Sequence, residues 1–444
     1  MKNGPSPLRP ALSLIAALAF SLQASAEIRY VLHITVDGLR GDLLKNLIDT
    51  DPDTYLTFAK LRQEGASTFN ARCDFDYSET IPNHSGVVTG RPVVDPPGQT
   101  GVAHGYTSNG YSGNATTGDS IHKLGSATYV YRPGTFDTAH DRGLSTAIYG
   151  GKTRLNLFVH SYNATKGRPD PIPPDNGSNK VDFASVADLT SAASLPNVKN
   201  AVVADIAAGT LRNYSLVHFT DTDTGATGGG HNVGWGSASW NNAVKAVDGY
   251  LAAILTELNN ANPAIKGKVA IVLTADHGGG GGGSGPGATA DRNHGDAASQ
   301  LNYTIPVLIW GPGIPAGSDA YRLFSNRFNP AAARPNGAAI TNQPLRNADT
   351  ANIAMALLGL PAVEGSYFRP ALDGDLRVNE QGGSVTLSWP SYLTNHRLEW
   401  SDDLTSGSWQ ADADPQPVEE GGRFVRQATL PSSTRRFWRV VPPQ

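Results

Sequence analysis

Cysteine is nearly absent from this chain: Cys73 is the only one among 444 residues. No disulfide can therefore form within the chain, and its stability must come from a buried core and from any bound metal ions. Cys73 lies in an apolar-leaning segment between Phe69 and Phe75. We predict that it is a buried small hydrophobe and not a reactive thiol.

Long apolar runs are also scarce. One such run, Ala11–Leu22, follows Lys2 and Arg9 and is followed by the small-x-small pattern Ala24–Ala26. These features are typical of a secretory signal peptide, so we predict cleavage after residue 26 and a secreted or periplasmic protein; an uncleaved anchor is the alternative. No later stretch approaches the roughly 20 apolar residues of a transmembrane helix, which predicts no transmembrane span in the mature chain.

Charge of either sign is low. Charged residues make up 17% of the chain and the formal net charge is −4. The composition therefore gives no electrostatic basis for a nucleic-acid-binding module. With 39% hydrophobic residues, 49 glycines and 30 prolines, it is typical of a loop-rich globular protein with a substantial core and two or three domains.

Hydrophobic periodicity divides the chain into two parts. Strand-like and helix-like segments alternate from residue 27 to residue 374, which predicts an α/β domain with a central sheet flanked by helices. Helical spacing is clear in Thr54–Glu64, Ser237–Asn259 and Ala348–Leu358, and Ile305–Trp310 has the pattern of a short buried strand.

Residues 375–444 have an all-β texture and predict a small β-sandwich, which resembles the fibronectin-type modules of secreted bacterial enzymes. The predicted strands include Val385–Trp389, Arg397–Trp400, Phe424–Ala428 and Phe437–Val441. Five arginines make the end of this module basic: Arg423, Arg426, Arg435, Arg436 and Arg439. That face is either an ordinary solvated surface or a contact for an anionic surface polymer.

Aspartates follow three strand-like runs. Asp37 follows Tyr30–Val36, Asp221 and Asp223 follow Ser215–Thr220, and Asp276 follows Val269–Ala275. In open α/β sheets, ligands bind at the carboxyl ends of the strands, so we expect these carboxylates to converge on one crevice.

Histidines accompany these aspartates. His277 is adjacent to Asp276, and His231 and His294 lie in separate glycine-containing segments. Zinc prefers histidine nitrogen and carboxylate oxygen as ligands. We therefore predict a metal centre built from six of these side chains: Asp37, Asp223, Asp276, His231, His277 and His294. Gly278 permits the backbone break that turns both Asp276 and His277 toward one ion.

Thr80 is the candidate nucleophile, since it precedes a predicted helix over Pro82–Thr89. A threonine hydroxyl needs a base or a metal to become a good nucleophile, and the start of a helix offers N–H groups to a phosphate. The alternative is that Thr80 simply caps the helix, which is a common role for threonine.

The motifs together resemble those of the type I phosphodiesterase/nucleotide pyrophosphatase family of the alkaline phosphatase superfamily. The matching segments are VDGLRGD, SETIPNHSGVVTGRP, the Asp223–His231 stretch with its following GWGS, TADHGG and NHGDAASQLNYTIPVLIWGPG. They cover the chain from about Ile34 to Leu360 in the order found in the family. The resemblance implies an alkaline-phosphatase-like fold and two zinc ions.

The resemblance also implies a role for each motif residue. Asp37, Thr80, Asp276 and His277 would hold one ion, which activates the Thr80 oxygen, and Asp223, His231 and His294 would hold the other. Asn109 best matches the family's phosphate-contacting asparagine. Lys152 is a second candidate for phosphate contact; its alternative is an ordinary surface lysine.

One spacing departs from the family pattern. The family has Asp-x-x-Gly-His, whereas here Asp223 and His231 are eight residues apart. We interpret this as a four-residue glycine-rich insertion, with Asp221 as the competing metal ligand.

These implications predict a secreted two-zinc hydrolase that cleaves a small-molecule phosphodiester or nucleotide through a covalent phosphothreonine. Arg72 is the only lysine or arginine within ten positions of Thr80, which favours a singly charged diester over a doubly charged monoester. The alternatives are a phosphomonoesterase with additional cationic contacts and a non-catalytic secreted binding protein. A sulfatase is disfavoured, because Cys73 lacks the Cys-x-Pro-x-Arg setting of that family's nucleophile.

Overall fold

A computed structural model describes these parts of the chain: 28–111, 120–122, 130–170, 177–224, 228–282, 290–324, 326–330, 342–370, 376–381, 384–390, 396–402, 409–412, 417–420, 423–429 and 436–441. The predicted signal peptide, residues 1–26, lies outside the described residues. So do residues 371–375, which contain the predicted boundary between the two parts of the chain.

Eight strands of the described residues form the central sheet. They are β1 (Tyr30–Val36), β2 (Ala66–Arg72), β3 (Thr146–Gly150), β4 (Phe183–Val186), β5 (Tyr214–Phe219), β6 (Val269–Thr274), β7 (Thr304–Trp310) and β8 (Ser318–Asp319). Their order across the sheet is β4-β3-β5-β1-β6-β7-β2-β8. β1 pairs in parallel with both β5 and β6, and β3 pairs in parallel with β5 and β4. β7 runs antiparallel to β6 and β2.

The strands at the middle of the sheet are buried on both faces. Every residue of β1 after Tyr30 is buried, and β5 and β6 are buried throughout. Parallel strands covered by helices on both faces have this character, which confirms the α/β prediction. Because β3, β5, β1 and β6 all point the same way, the residues that follow them meet at one edge of the sheet.

Ten α-helices lie in the described ranges, and none is both long and apolar enough to cross a membrane. They are α1 (Gly41–Thr50), α2 (Leu56–Glu64), α3 (Thr80–Thr89), α4 (Thr135–His140), α5 (Asn156–Ser161), α6 (Asn197–Ala208), α7 (Gly230–Val233), α8 (Ala238–Asn260), α9 (Gln300–Tyr303) and α10 (Asp349–Leu357). Ser237 begins α8, since its side chain accepts a hydrogen bond from the backbone N–H of Trp240. The apolar face predicted for this helix is buried against α2 and α6.

Helix α3 begins two residues earlier than the sequence predicts. Its N-cap residue is Glu79, whose backbone is extended, and Thr80 is already helical. Pro82 stands at the third helical position, where a missing N–H costs no intrahelical hydrogen bond. The hypothesis that Thr80 caps the helix is therefore wrong.

The C-terminal strands form two small antiparallel sheets, as the all-β texture predicts. β9 (Arg377–Gln381), β10 (Ser384–Pro390), β13 (Val418–Glu420) and β14 (Arg423–Thr429) form one, and β11 (Arg397–Ser401), β12 (Gln410–Ala411) and β15 (Phe437–Val441) form the other. Val385, Leu387 and Trp389 of β10 are buried.

Three of the five arginines at the predicted basic end, Arg426, Arg436 and Arg439, lie beside carboxylates; Arg435 is outside the described residues. Arg439 donates to Glu399 at 2.7 and 2.9 Å, Arg436 lies 3.2 Å from Asp402, and Arg426 lies 3.3 Å from Asp412. These charges are compensated within the chain. The described arginines therefore give no support to a contact with an anionic polymer.

A buried ion pair joins the start of α10 to the segment 326–330. Asp349 is fully buried and accepts hydrogen bonds from Arg327 Nε at 2.9 Å and Nη2 at 2.6 Å. The same carboxylate accepts the backbone N–H of Arg346 at 2.8 Å. Both oxygens of the Asp349 carboxylate therefore accept hydrogen bonds from the Arg327 guanidinium, and Oδ2 also accepts one from the backbone. Cys73 is also fully buried, as predicted.

We expect Asp349→Ala to lower the free energy of unfolding by about 3–5 kcal/mol, because it leaves the buried Arg327 guanidinium without a counter-charge. Urea denaturation measures this change. Asp49, which pairs with Arg62 on the surface, supplies the control. Asp49→Ala is expected to change the same free energy by less than about 1 kcal/mol, and equal losses in the two variants would contradict the prediction.

Candidate metal centre

The aspartates that follow β1, β5 and β6 come together at the carboxyl edge of the sheet. Asp37, Asp223 and Asp276 are 0%, 1% and 0% exposed. Gly38, with φ of 68°, makes the turn after Asp37, and its backbone N–H donates to Asp276 Oδ1 at 3.0 Å. A Cβ on Gly38 would lie 3.1 Å from the Asp223 Cβ. The three carboxylates therefore lie close together at this edge of the sheet, as the sequence predicts.

One oxygen of each carboxylate lacks a hydrogen-bond partner among the described residues. These oxygens are Asp37 Oδ1, Asp223 Oδ1 and Asp276 Oδ2, and all three are buried. A buried carboxylate oxygen without a partner costs free energy unless a cation or donor compensates it. Bound metal ions would supply the missing partners, so the carboxylates fit a metal centre.

All three candidate histidines use Nδ1 for a backbone hydrogen bond and direct Nε2 toward the carboxylates. Nδ1 of His277, His294 and His231 donates to a backbone carbonyl, that of Gly278 at 2.8 Å, Ser78 at 2.5 Å and Arg292 at 3.0 Å respectively. A ring whose Nδ1 carries the proton presents an unprotonated Nε2, which is the form that ligates a metal. Burial lowers the pKa of His277, and it lowers the pKa of His294 to about 3, so both rings are neutral.

The Nε2 atoms face the carboxylate oxygens. His277 Nε2 lies 3.3 Å from Asp276 Oδ2 and 3.5 Å from Asp37 Oδ1. His231 and His294 Nε2 lie 3.4 and 3.8 Å from Asp223 Oδ1. Ligand atoms within 4.8 Å of one another group as Asp223, His231 and His294, and as Asp37, Asp223 and His277. The first group has the membership expected for one ion, and the second overlaps the set expected for the other.

Helix α3 brings Thr80 to this centre. Thr80 is 2% exposed, and its carbonyl accepts a hydrogen bond from His84 Nδ1 at 2.7 Å. The same nitrogen lies 3.6 Å from Asp276 Oδ2. Asn109 lies at the same end of the helix, where its Oδ1 accepts the backbone N–H of Ile81 at 3.1 Å. The candidate phosphate contact therefore adjoins the candidate nucleophile.

Backbone hydrogen bonds hold Asp223 and His231 close together although they are eight residues apart in the sequence. The N–H of His231 donates to the Asp223 carbonyl at 3.1 Å, and the N–H of Gly230 donates to the Thr222 carbonyl at 2.9 Å. The intervening residues therefore form a loop that leaves both ends together; residues 225–227 within it are outside the described part. Asp221 instead accepts from Tyr250 Oη at 3.0 Å, and burial raises its pKa to about 7.

Trp235, of the GWGS segment, supports the ligand loops. Its Nε1 donates to the Gly38 carbonyl at 2.7 Å, and its ring packs edge-on against His231 and His294. A Cβ on Gly279 would lie 2.0 Å from this ring. The glycine beside the metal ligands is therefore required by packing.

Lys152 is buried within the centre, so its interpretation as an ordinary surface lysine is wrong. Its Nζ lies 2.6 Å from Oδ2 of both Asp37 and Asp223. Burial raises the pKa of Asp37, but Lys152 and His218 outweigh that effect and hold it well below the usual range. Burial and the charge of Asp37 raise the pKa of Asp276 well above its usual range, which a bound cation would reverse.

Two histidines of the centre, His218 and His84, were not predicted from the sequence. His218 Nε2 donates to Asp37 Oδ2 at 3.0 Å, and its Nδ1 faces the backbone N–H of Gly151 at 3.3 Å. His84 Nε2 hydrogen-bonds to Thr35 at 2.9 Å. His218 could have been found from the sequence, because it is a histidine within a strand, β5, that is otherwise mostly apolar.

Comparison with known proteins identifies the motifs that line this centre. A model of the type I phosphodiesterase/nucleotide pyrophosphatase family matches residues 31–282, more than half of the 444-residue chain. No curated protein sequence matches the chain significantly.

Several solved structures are similar to this chain at low sequence identity. An alkaline phosphatase superfamily protein from Vibrio parahaemolyticus is 14% identical with a TM-score of 0.48, and the alignment covers 88% of this chain and 84% of that one. Murine ectonucleotide pyrophosphatase/phosphodiesterase 5 is 14% identical with a TM-score of 0.43, over 75% and 96% of the two chains. A 2-O glycosaminoglycan sulfatase is 11% identical with a TM-score of 0.46, over 94% and 85%. Likeness at this level does not distinguish among their reactions.

We expect His231→Ala to bind about one divalent ion fewer per chain than the unsubstituted protein, because one of the three ligands grouped around Asp223 is removed. Elemental analysis after dialysis measures the stoichiometry. Asp221→Ala is the control and is expected to keep the full content. Full content in His231→Ala together with a loss in Asp221→Ala would show that Asp221 is the ligand.

Proposed function

The chain belongs to the type I phosphodiesterase/nucleotide pyrophosphatase family and is a metal-dependent phosphoric diester hydrolase, and we propose that it works with two zinc ions and Thr80. The observation that carries the proposal is the set of buried carboxylate oxygens that have no hydrogen-bond partner among the described residues. They are faced by the Nε2 atoms of the candidate histidines, near the first residue of α3.

Zinc suits this donor set, since it prefers histidine nitrogen and carboxylate oxygen in sites with an open position. The proposed ligands of one ion are Asp37, Thr80, Asp276 and His277, and those of the other are Asp223, His231 and His294. When bound, the ions would stabilise the charge that develops on the entering and leaving oxygens.

Thr80 is the proposed nucleophile. Its hydroxyl oxygen gives up its proton to solvent and bonds to phosphorus while the bond from phosphorus to the leaving oxygen breaks. The leaving group departs as an alcohol after taking a proton from solvent, and a phosphothreonine remains. A water molecule then bonds to phosphorus and loses a proton while the bond to the Thr80 oxygen breaks; that oxygen regains a proton, and a phosphate monoester is released. Because Thr80 is the first residue of the ten-residue α3, the positive dipole end of the helix would face a phosphate held there. The Asn109 amide, beside Ile81 N–H, is positioned to orient that phosphate.

The balance of charge favours a singly charged substrate. Asp37, Asp223 and Asp276 contribute three negative charges and Lys152 one positive charge, while the buried His277 and His294 rings are neutral. Two divalent ions and a deprotonated Thr80 oxygen bring the formal sum to about +1, which a phosphodiester monoanion neutralises. A monoester dianion would leave an excess negative charge in a buried site.

Export to the periplasm or the exterior remains part of the proposal. It rests on the sequence of residues 1–26 alone, and the leaving group of the substrate is proposed only as a small alcohol or nucleotide.

We expect Thr80→Ala to retain at most a few per cent of the turnover of an aryl phosphodiester, with metal content and melting temperature nearly unchanged, because only the entering oxygen is lost. Thr89→Ala, which removes another buried hydroxyl from the same helix, is the matched control and should stay active. Substantial activity in Thr80→Ala would remove Thr80 from the nucleophile role.

We expect aryl phosphodiesters to be hydrolysed faster than aryl phosphomonoesters by a factor on the order of 10² or more, which corresponds to about 2.7 kcal/mol in the barrier. The charge balance around Lys152 is the physical reason. Comparative kcat/KM values at one zinc concentration measure the ratio. Equal or faster monoester hydrolysis would reverse the assignment in favour of a phosphomonoesterase.

A further inference from the structure

Two carboxylates of the metal centre share one buried cation. Lys152 is 7% exposed, and its Nζ lies 2.6 Å from Oδ2 of Asp37 and 2.6 Å from Oδ2 of Asp223. Under the proposed function, which this inference assumes, these two carboxylates ligate different ions. Lys152 therefore links the two ion positions through one ammonium group.

In each of the two carboxylates, one oxygen faces Lys152 and the other faces the candidate histidines. Oδ2 faces Lys152, and in Asp37 it also accepts from His218 Nε2 at 3.0 Å. Oδ1 has no hydrogen-bond partner among the described residues and faces the histidines that complete the ion positions. Lys152 thus fixes the rotation of both carboxylates from the side opposite the ions.

The ammonium also counters the repulsion among the carboxylates. Asp37, Asp223 and Asp276 are buried close together, and like charges in a buried site destabilise the folded chain unless a cation compensates them. The two ions would provide that compensation when bound, whereas Lys152 is always present.

We propose that Lys152 is a positioning residue that acts as a built-in counter-cation, which keeps Asp37 and Asp223 in their ligand orientation while the ions are absent. It stabilises the metal-free protein more than the metal-loaded protein. Because it adds positive charge next to the ion positions, it also weakens the binding of zinc.

Arg327 offers a control elsewhere in the fold. It is buried and donates to Asp349 Oδ2 at 2.9 Å and Oδ1 at 2.6 Å, and neither residue belongs to the groups of described side chains that could hold a metal ion. Lys152→Met and Arg327→Met each remove one buried positive charge. Melting temperatures are measured for the wild type and both variants, after chelation and with excess Zn²⁺, and zinc affinity is measured by competition with a chromophoric chelator.

For Lys152→Met we expect the melting temperature of the metal-free form to fall by about 5 °C or more beyond the fall in the zinc-loaded form. Zinc affinity is expected to rise by about tenfold or more, because the nearby positive charge is gone. Arg327→Met should lower both melting temperatures equally and leave the affinity unchanged. Equal losses in the two forms of Lys152→Met, or a weaker affinity, would overturn the proposal.

A second variant covers the case in which Lys152→Met does not fold without zinc. Lys152→Met combined with Asp223→Asn removes one of the uncompensated charges and should restore part of the melting temperature of the metal-free form; no restoration would overturn the proposal. The measurements need no hydrolysis, so a protein that binds zinc in this way but cleaves no phosphodiester would contradict only the proposed reaction.

Discussion

The burial of three like-charged carboxylates in one crevice is the constraint that shapes the rest of this structure. Asp37, Asp223 and Asp276 are all almost completely withdrawn from water. Such an arrangement is unfavourable unless cations and donors surround it. Lys152, His218 and the backbone N–H of Gly38 supply a part of that compensation on the protein side. Bound metal ions would supply the remainder at the carboxylate oxygens that have no hydrogen-bond partner among the described residues.

The surrounding packing serves the same constraint. Trp235 braces the loops that carry His231 and His294, and its close contact with Gly279 excludes any larger residue there. Asn347, beside the start of α10, donates to the Asp276 carbonyl at 2.8 Å. The Arg327–Asp349 pair, which holds that end of α10 in place, is therefore connected to the metal centre through one short segment of chain.

The parts of the site that follow strands were predictable from sequence. β1, β5 and β6 are apolar runs that end in acidic residues, and the rule that ligands lie at strand carboxyl ends placed Asp37, Asp223 and Asp276 together. The same rule would have placed Lys152, since it follows β3, which pairs with β5. β3 is only five residues long, so it gives a weak alternation signal and was not recognised as a strand. The interpretation of Asp223, rather than Asp221, as the metal ligand is supported by the backbone hydrogen bonds that close the loop, which no local pattern encodes. The strand bounds differed from prediction by about one residue, and the start of α3 differed by two, because helix ends depend on the backbone of a single cap residue.

The placement of β1 between β5 and β6 has a consequence for how the centre tolerates change. Neighbouring strands in a sheet lie about 4.8 Å apart, and the ions of two-metal hydrolytic sites lie about 4 Å apart. Three adjacent strands therefore present side chains at nearly the separation that the two proposed ions would require. Backbone hydrogen bonds in the core set this spacing, so it does not depend on the loops that follow the strands. A chain built in this way can lengthen the segment between Asp223 and His231 without altering the spacing that the sheet has already set.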